Sequence, residues 1–265
     1  MKFSIIINTH NQERFIYKSI NSCLKQKFTN YEIIIFDTSD KKLNYKYRKY
    51  LNRKKIKYFH NKIKFTHPEK NQMYKISNGL KKSKGEFICL LDGDDYFSSQ
   101  KLKKLNNLLN RKKILFNQDK PILIETNLKK KEIVKNKNYK KNQIFKIFIN
   151  DWPQIYGTSS ILIKRKILKN FFYKAKPFNW KYLAIDIQLA IFCYLNFNIY
   201  NYEEKLTYKN LHQNNLGDKY LNLFKKIFWF RRYMQHKYFF FLKKKTIYNF
   251  DYIFTSIIYF FLKNL

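Results

Sequence analysis

The 265-residue chain is 45% hydrophobic and 19% aromatic, so it can bury a full core, and this composition argues against an intrinsically disordered protein. Its 55 Lys and Arg residues outnumber 18 Asp and Glu residues, and the formal charge of +37 favours anionic partners such as nucleic acid, acidic lipid or phosphorylated substrates. Codon drift in an AT-rich genome explains the same charge equally well, because Lys, Asn, Ile, Phe and Tyr dominate the chain.

The first 110 residues alternate short apolar segments with amphipathic ones. Ile16, Ile20, Cys23 and Leu24, for example, fall at helical spacing and would form one apolar face. The predicted strands are residues 3–7, 31–36, 56–59 and 87–91, and the predicted helices are residues 13–26, 42–53, 72–82 and a segment capped by Ser98. This alternation is typical of an α/β fold with a mostly parallel, Rossmann-like sheet flanked by helices.

The chain beyond residue 110 is less regular. We expect a main domain over residues 1–217 and an aromatic, basic helical extension over residues 218–265. Within the main domain, residues 121–126 and 159–164 are predicted strands, 129–141 an exposed basic excursion, 182–195 a helix and 210–217 a polar loop.

The cysteines and the apolar runs bear on location. Cys23, Cys89 and Cys193 are odd in number and form no CxxC pair, which favours a reducing compartment and argues against a zinc site. No secretory leader is visible, and no segment offers ~20 uninterrupted apolar residues, so we expect no membrane-spanning helix. These features predict a cytoplasmic protein.

Acidic side chains follow two of the predicted strands: Asp37 after the second, and Asp92, Asp94 and Asp95 after the fourth. In open α/β sheets, ligands bind beyond the carboxyl ends of the strands. Three carboxylates within four residues repel one another unless a cation or a hydrogen-bond donor compensates. The Asp-x-Asp spacing suits Mg²⁺ or Mn²⁺ bridging to nucleotide phosphates, although a solvated acidic turn has the same pattern.

Three segments together resemble the family 2 glycosyltransferases, which have the GT-A fold. Residues 3–11 read FSIIINTHN, where the family usually has VSVIIPTYN, and residues 32–39 read EIIIFDTS, where it has EIIVVDDGS. Residues 84–95 read KGEFICLLDGDD, similar to the family's KGEYIAFLDSDD. Order and spacing agree, and the resemblance is strongest over residues 1–110 and thinner to about residue 217.

The resemblance implies roles for individual residues. Thr9 would lie against the base or ribose of a nucleotide sugar, and Asp37 would hydrogen-bond the base or ribose. Asp92 would contact the nucleoside side, and Asp94 would bind Mn²⁺ or Mg²⁺. We expect Asp95 to cap the following turn.

Two further residues are implied downstream. Residues 184–186, Ala-Ile-Asp, match the family's Glu-Asp pair, so Asp186 would be the catalytic base, and His212 would approach the diphosphate or the metal. Asp186 stands in an apolar stretch, where a carboxylate is costly unless it lines a polar cavity, and partial burial would raise its pKa. An exposed helix Asp and a solvated loop His are the structural alternatives.

Three departures from the family pattern bear on activity. Asn8 stands where Pro is common, and Thr38 replaces the second Asp of the second-strand motif. Ile185 replaces the Glu of the Glu-Asp pair, which weakens the assignment of Asp186 as the base. The alternative that the protein is a catalytically inactive homologue therefore remains open.

The resemblance implies an inverting transfer of a sugar from a nucleotide-diphosphate donor to the hydroxyl of a saccharide or lipid-linked acceptor, in synthesis of cell-surface polysaccharide or glycolipid. A nucleic-acid-binding protein is a rival hypothesis, but the basic residues are dispersed rather than confined to one stripe. A nucleotidyltransferase is disfavoured, because the loop over residues 8–12 contains no Gly.

Aromatic and basic clusters alternate from Lys219 onward. This pattern predicts amphipathic helices lying on an anionic membrane surface, which would place the protein at the inner face of the cell membrane. The alternative is that these helices pack on the catalytic domain while their lysines extend to solvent.

Overall fold

A computed structural model of the protein describes residues 1–43, 48–63, 65–125, 133–134, 152–212 and 222–265. The strands are β1 (Phe3–Thr9), β2 (Tyr31–Asp37), β3 (Ile56–His60), β4 (Phe87–Asp92), β5 (Tyr96–Phe97), β6 (Phe116–Glu125), β7 (Ile133–Val134), β8 (Ile161–Lys164) and β9 (Ile199–Leu211). The helices are α1 (Ile16–Leu24), α2 (Arg48–Leu51), α3 (Pro68–Lys82), α4 (Lys101–Arg111), α5 (Arg165–Lys174), α6 (Ile185–Asn196), α7 (Lys226–Lys243) and α8 (Phe250–Asn264), with short 3-10 turns at Thr158–Ser160 and Pro177–Asn179.

The strands of the described residues form one sheet in the order β3-β2-β1-β4-β8-β6-β9-β5, with β7 paired to β6. The first four strands run parallel to one another, with β1 between β2 and β4. Strand β8 is antiparallel to both β4 and β6, whereas β6 and β9 are parallel. The predicted mostly parallel α/β sheet flanked by helices is confirmed, and its antiparallel pairs make the sheet mixed.

Both faces of the central strands are covered, which explains why these strands are apolar throughout. Ile5 and Ile7 of β1 point to one face, where they pack with residues of α1 and α4. Ile6 points to the other face, where it packs with residues of α3, α5 and α6. Successive side chains of a strand alternate between faces, so one short strand contributes to two cores.

Several predicted elements differ in their bounds. Helix α3 begins at Pro68 rather than residue 72, because proline at the first helical position needs no backbone donor. Strand β6 begins at Phe116, five residues before its predicted start. Ser98 lies two residues ahead of Gln100, the N-cap of α4, and its hydroxyl accepts from the backbone N–H of Gln100 at 3.4 Å, so it holds the turn leading into α4 rather than the first turn of the helix.

Other predictions fall partly on residues outside the described part. Of the predicted helix over residues 42–53, the structure shows helix only at Arg48–Leu51, and residues 44–47 are not described. Most of the basic excursion lies outside the description, although Ile133 and Val134 pair with β6. The predicted loop over residues 210–217 begins instead as the end of β9, and its later residues, with the expected domain boundary at 217, are not described.

The C-terminal extension is helical, as expected, and its first helix packs on the main domain. Tyr238 of α7 is fully buried, and its hydroxyl donates to the carbonyl of Gln188 in α6 at 3.1 Å. Helix α8 then packs on α7, where Arg232 donates to Asp251 at 2.6 Å. Among the described residues, no helix combines the length and apolar character needed to cross a bilayer.

Candidate active site

The carboxyl ends of β1, β2 and β4 bring the predicted site residues to one edge of the sheet. In the parallel register, Thr9 pairs with Asp37 and Asn8 pairs with Asp92. The turn carrying Asp94 follows immediately on β4. The residues that were expected to hold a nucleotide and its metal therefore share one rim.

Asp37 is fully buried and is held by donors on both carboxylate oxygens. Its Oδ1 accepts from the backbone N–H and the hydroxyl of Ser39 at 2.8 and 2.5 Å, and its Oδ2 accepts from the hydroxyl of Tyr58 at 2.7 Å. Burial, together with the neighbouring Asp37, raises the pKa of Tyr58, so this hydroxyl stays a donor. These three donors hold the Asp37 carboxylate in place at the end of β2.

Asp92 ends β4 and is oriented by two amide side chains. Its Oδ1 accepts from Nδ2 of Asn8 at 2.8 Å and from Nε2 of Gln72 at 2.9 Å. Burial, with the nearby Asp94 charge, raises the pKa of Asp92 to about 6, while these two hydrogen bonds act in the opposite direction. Asn8, which departs from the family's usual Pro, thus has a specific partner at the rim.

Asp94 contacts His212, which directly follows β9, and its side chain is partly exposed. Its Oδ2 lies 2.9 Å from Nε2 of His212, and the Asp94 side chain is 16% exposed. The His212 ring stacks on Phe15 with centroids 4.9 Å apart. The side-chain amide of Asn210 donates to the carbonyl of Asp94. His212 is therefore next to Asp94, although 118 positions separate the two residues in the chain.

Asp95 has a different role from the one expected. It is only 3% exposed, and it accepts from the hydroxyl of Ser159 at 2.6 Å and from the backbone N–H of Asn210 at 2.9 Å. Burial and the charges of Asp94 and Asp92 raise its pKa well above the usual range. Asp95 does not cap a turn; it joins the acidic turn to the Thr158–Ser160 turn and to β9.

Thr9 lies directly under the acidic turn. It is 2% exposed, and its hydroxyl is 3.2 Å from Oε1 of Gln12. A Cβ at Gly93 would stand 2.6 Å from both Thr9 Oγ1 and Gln12 Oε1, so the loop after β1 approaches the turn backbone closely. Gly93 is the residue type that this approach requires.

Lys75 of α3 is a site residue that the sequence reasoning missed. It is 5% exposed, and burial lowers its pKa to about 8, whereas the charges of Asp92, Asp37 and Asp94 act in the other direction. A lysine buried near three carboxylates is a functional-site candidate. Its spacing of three residues from Gln72, which puts both on one helix face, was the available sequence signal.

Asp186 lies in the first turn of α6, and its Oδ1 accepts from the backbone N–H of Ile187 at 2.8 Å. Nearby on α6, Nε2 of Gln188 contacts Sδ of Met73 at 3.9 Å, and Met73 adjoins Gln72, the partner of Asp92. The start of α6 is therefore at the same end of α3 as the acidic turn. Ile185 is fully buried, which explains an apolar residue where the family carries Glu.

The donors at the rim fit a divalent cation held jointly with a substrate. In the part of the chain that the structure describes, no group of three or more His, Cys, Asp and Glu side chains is placed to hold a metal alone. Mg²⁺ at nucleotide sites, however, usually takes one or two carboxylates and completes its shell with phosphate oxygens and water. Asp94, with Asp92 beside it and His212 at 2.9 Å, supplies such a partial set.

Most of the elements that form this edge of the sheet lie in a segment that matches a known family. The model of the family described as "Glycosyl transferase family 2" matches residues 4–172, which is more than half of the chain. The chain belongs to glycosyl transferase family 2. The family resemblance of the three segments is thereby confirmed, and Thr9, Asp37, Asp92 and Asp94 all lie inside the matched range.

Among curated relatives of this family 2 protein is the poly(ribitol-phosphate) beta-N-acetylglucosaminyltransferase TarS of Staphylococcus aureus, 34% identical over 107 residues, which are 39% of this chain and 18% of TarS. Another is the GalNAc(5)-diNAcBac-PP-undecaprenol beta-1,3-glucosyltransferase of Campylobacter jejuni, 34% identical over 106 residues, which are 39% of this chain and 33% of that protein. The chain therefore matches less than half the length of these two relatives.

Solved structures share the fold over nearly the whole chain. S. aureus TarS 1–349 in complex with UDP-GlcNAc aligns with a TM-score of 0.64 at 17% identity, covering 98% of this chain and 70% of that one. The mannosyltransferase PcManGT of Pyrobaculum calidifontis, in complex with GDP-Man and Mn²⁺, aligns with a TM-score of 0.60 at 9% identity, covering 97% and 68%. At these identities the likeness concerns the fold, and it confirms the predicted GT-A architecture.

Proposed function

We propose that the protein transfers a sugar from a nucleotide-diphosphate donor to an acceptor hydroxyl. The observation that supports this most is the convergence of Asp37, Asp92 and Asp94 at the carboxyl edge of the sheet, in a chain of glycosyl transferase family 2. Ligands of open α/β sheets bind at this edge.

In this proposal different rim residues bind the nucleoside and the diphosphate of the donor. Asp37, Thr9 and Asp92 contact the nucleoside, and Asp94 lies toward the diphosphate. Lys75 adds a buried cation near the same carboxylates, where it would attract the diphosphate oxygens. Solved structures of the neighbours TarS and PcManGT are complexes with UDP-GlcNAc and GDP-Man, which supports a nucleotide sugar as the ligand class.

We also propose that Mn²⁺ or Mg²⁺ takes part, held by Asp94 with His212 or Asp92. When bound, such an ion offsets the charge that develops on the departing nucleoside diphosphate. The protein's own contribution is to hold the carboxylates in place: Asn8 and Gln72 orient Asp92, and Asn210 holds the backbone of Asp94.

Asp186 is our candidate for the base that takes the proton of the acceptor hydroxyl. Its Oδ1 is bonded within α6, so Oδ2 is the oxygen that would accept the proton. Attack on the anomeric carbon from the face opposite the diphosphate inverts its configuration, as in the inverting glycosidases, where one carboxylate activates the nucleophile. Ile185 is the observation that favours the second candidate, an inactive homologue, because the family's Glu is replaced by a buried apolar residue.

The acceptor in this proposal is a saccharide or a lipid-linked saccharide used in cell-surface polysaccharide or glycolipid synthesis. The names of the two curated relatives support this class, since one refers to poly(ribitol-phosphate) and the other to an undecaprenol-linked glycan. A lipid-linked acceptor would bring the reaction to a membrane surface, and we propose that this is the inner face of the cell membrane. We do not propose nucleic acid as a partner.

A thermal-shift screen of nucleotide sugars, with and without Mn²⁺, tests donor binding, because a ligand that binds only the folded state raises its stability. We expect at least one donor to raise Tm in a Mn²⁺-dependent way, and Asp94→Asn to abolish that dependence. Glu203→Gln, whose side chain is 77% exposed, is the matched control and should behave as wild type. No shift with any donor would refute the proposed function.

Asp186→Asn separates binding from catalysis. We expect it to keep the donor-induced shift while donor turnover, with water or a glycan as acceptor, falls about 10²–10⁴-fold, the usual contribution of a general base. Wild-type turnover in this variant would remove Asp186 from the mechanism. Donor binding by wild-type protein with no turnover on any acceptor would favour the inactive homologue.

A further inference from the structure

Helix α8 presents a continuous apolar stripe to the surface, at spacings of three and four residues. The residues of this α8 stripe are each between 48% and 65% exposed: Phe250, Ile253, Phe254, Ile257, Phe260 and Phe261. Single exposed apolar side chains are ordinary, but a contiguous row of six marks an interaction surface.

The orientation of the stripe is set by the opposite face of α8. Asp251 is 5% exposed and accepts from Arg232 of α7 at 2.6 and 3.0 Å, and Thr255 is fully buried. Tyr259 stacks on Tyr233 of α7 with ring centroids 4.1 Å apart. These contacts hold α8 against α7 through its polar and aromatic residues, so the stripe lies mostly on the outer side of α8. Phe254 and Phe260 also make T-shaped ring contacts with Trp229 and Tyr233 of α7, and both remain about half exposed.

The charges around the stripe identify the chemistry of its partner. Residues 222–265, all described, contain nine Lys and Arg residues and one acidic residue, Asp251, which is buried and paired. Lys243, Lys244 and Lys245 are exposed just before α8, and Lys263 is exposed in its last turn. A second copy of the chain would bring the same positive charge to the contact, whereas anionic lipid offers both an apolar layer and negative head groups.

We propose that the α8 stripe lies on an anionic lipid bilayer, with its aromatic and aliphatic side chains in the acyl boundary and the lysines at both ends of α8 on the head groups. The proposal assigns membrane contact to α8 alone. Helix α7 instead packs on the main domain. Binding to a bilayer can be measured without any sugar transfer, so this proposal can be tested independently of the proposed function. Only the benefit of that binding, which is to bring the acidic rim close to a lipid-linked acceptor, rests on the proposed function.

Co-sedimentation of the full chain with phosphatidylcholine vesicles, with or without phosphatidylglycerol, tests the proposal. We expect binding to the anionic vesicles only, and Ile257→Ser with Phe261→Ser should lower the partition coefficient at least tenfold. Tyr173→Ser with Tyr194→Ser removes two exposed apolar side chains elsewhere and should leave binding unchanged. Lys243→Gln, Lys244→Gln and Lys245→Gln should each weaken anionic binding about fivefold at low salt.

The donor-induced thermal shift serves as the folding control. Both serine double variants should keep the wild-type shift; if wild type binds vesicles but no donor, the proposed function fails and the membrane contact stands. Equal vesicle binding by wild type and the α8 serine variant would overturn the proposal. The proposal would also be overturned if wild type formed a dimer without lipid and the α8 serine variant were monomeric, or if wild type bound neither type of vesicle.

Discussion

The buried ion pair between Lys101 of α4 and Asp119 of β6 offers a sharp test of how the acidic rim is supported. Both side chains are fully buried, with Nζ 2.6 Å from Oδ1. Lys101 also donates to the Thr207 hydroxyl at 2.6 Å and to the Ser159 carbonyl at 3.1 Å. The Ser159 hydroxyl in turn donates to Asp95 and accepts from the backbone N–H of Asp92, so the pair lies beneath the rim.

Lys101→Met removes the cation and leaves the Asp119 carboxylate in the core with the Thr207 hydroxyl at 2.6 Å. Breaking a fully buried pair in this way lowers the free energy of unfolding by about 3–5 kcal/mol. At ~2–4 °C per kcal/mol for a chain of this size, Tm should fall by about 6–20 °C.

Lys104→Met is the matched control on the same helix. Lys104 pairs with Glu204 at 2.7 Å, but the two side chains are 40% and 42% exposed. An exposed pair contributes about 0–1 kcal/mol, so this variant should unfold almost as wild type does. Urea denaturation of both variants measures the difference directly.

The pH dependence of Lys101→Met separates a lost charge partner from lost packing. Burial raises the pKa of Asp119, and Lys101 acts in the opposite direction, so the variant should raise that pKa further. Because the folded-state pKa then exceeds the unfolded value, stability is lost as pH rises, and the destabilisation should be larger at pH 8 than at pH 5. Adding Asp119→Leu should recover much of the loss. Equal destabilisation by Lys101→Met and Lys104→Met would refute the reasoning.

Three other outcomes follow from the rim itself. In metal-free protein the folded pKa of Asp92 is raised from 3.8 to about 6. The contribution of Asp92 to the free energy of unfolding should therefore fall by up to about 3 kcal/mol as pH rises from ~4 to ~6. Urea denaturation measures this as the free energy of unfolding of wild type minus that of Asp92→Asn, and a pH-independent difference would contradict the prediction. Asn8→Ala removes a hydrogen bond that lowers this pKa, so carboxyl NMR should show Asp92 titrating at higher pH; an unchanged or lower value would refute the contact. Gly93→Ala places a Cβ 2.6 Å from Thr9 Oγ1 and should weaken donor affinity more than Ser77→Ala at a half-buried position of α3; equal affinities would show that the loop after β1 shifts to make room.

Much of the sheet's first half was predictable because its signals are local. Short runs that are apolar on both faces are typical of central strands covered on both sides, and β1, β2 and β4 are such runs. Parallel strands end at one edge, so Asp37, Asp92 and Asp94 could be grouped from their positions after those strands.

The remaining strands carry weaker signals. Strand β9 alternates buried, half-buried and exposed residues over 13 positions and pairs with both β6 and β5, which are distant in the chain. The early start of β6 was hidden because its polar residues Asn117, Gln118 and Asp119 are all fully buried. Burial of Gln118 and Asp119 is compensated by partners that a one-dimensional pattern does not reveal: Gln118 accepts from the backbone N–H of Tyr156, and Asp119 pairs with Lys101.

The amino-acid sequence by itself determined the family, the α/β class and the rim on which the acids stand, because hydrophobic periodicity and motif spacing are properties of the chain. Only the tertiary structure decided which groups compensate those acids: Asn8 and Gln72 on Asp92, His212 beside Asp94, Ser159 on Asp95, and Lys75 among the carboxylates. The physical reason is that burial and charge compensation depend on neighbours brought together from across the chain, and no local pattern specifies them.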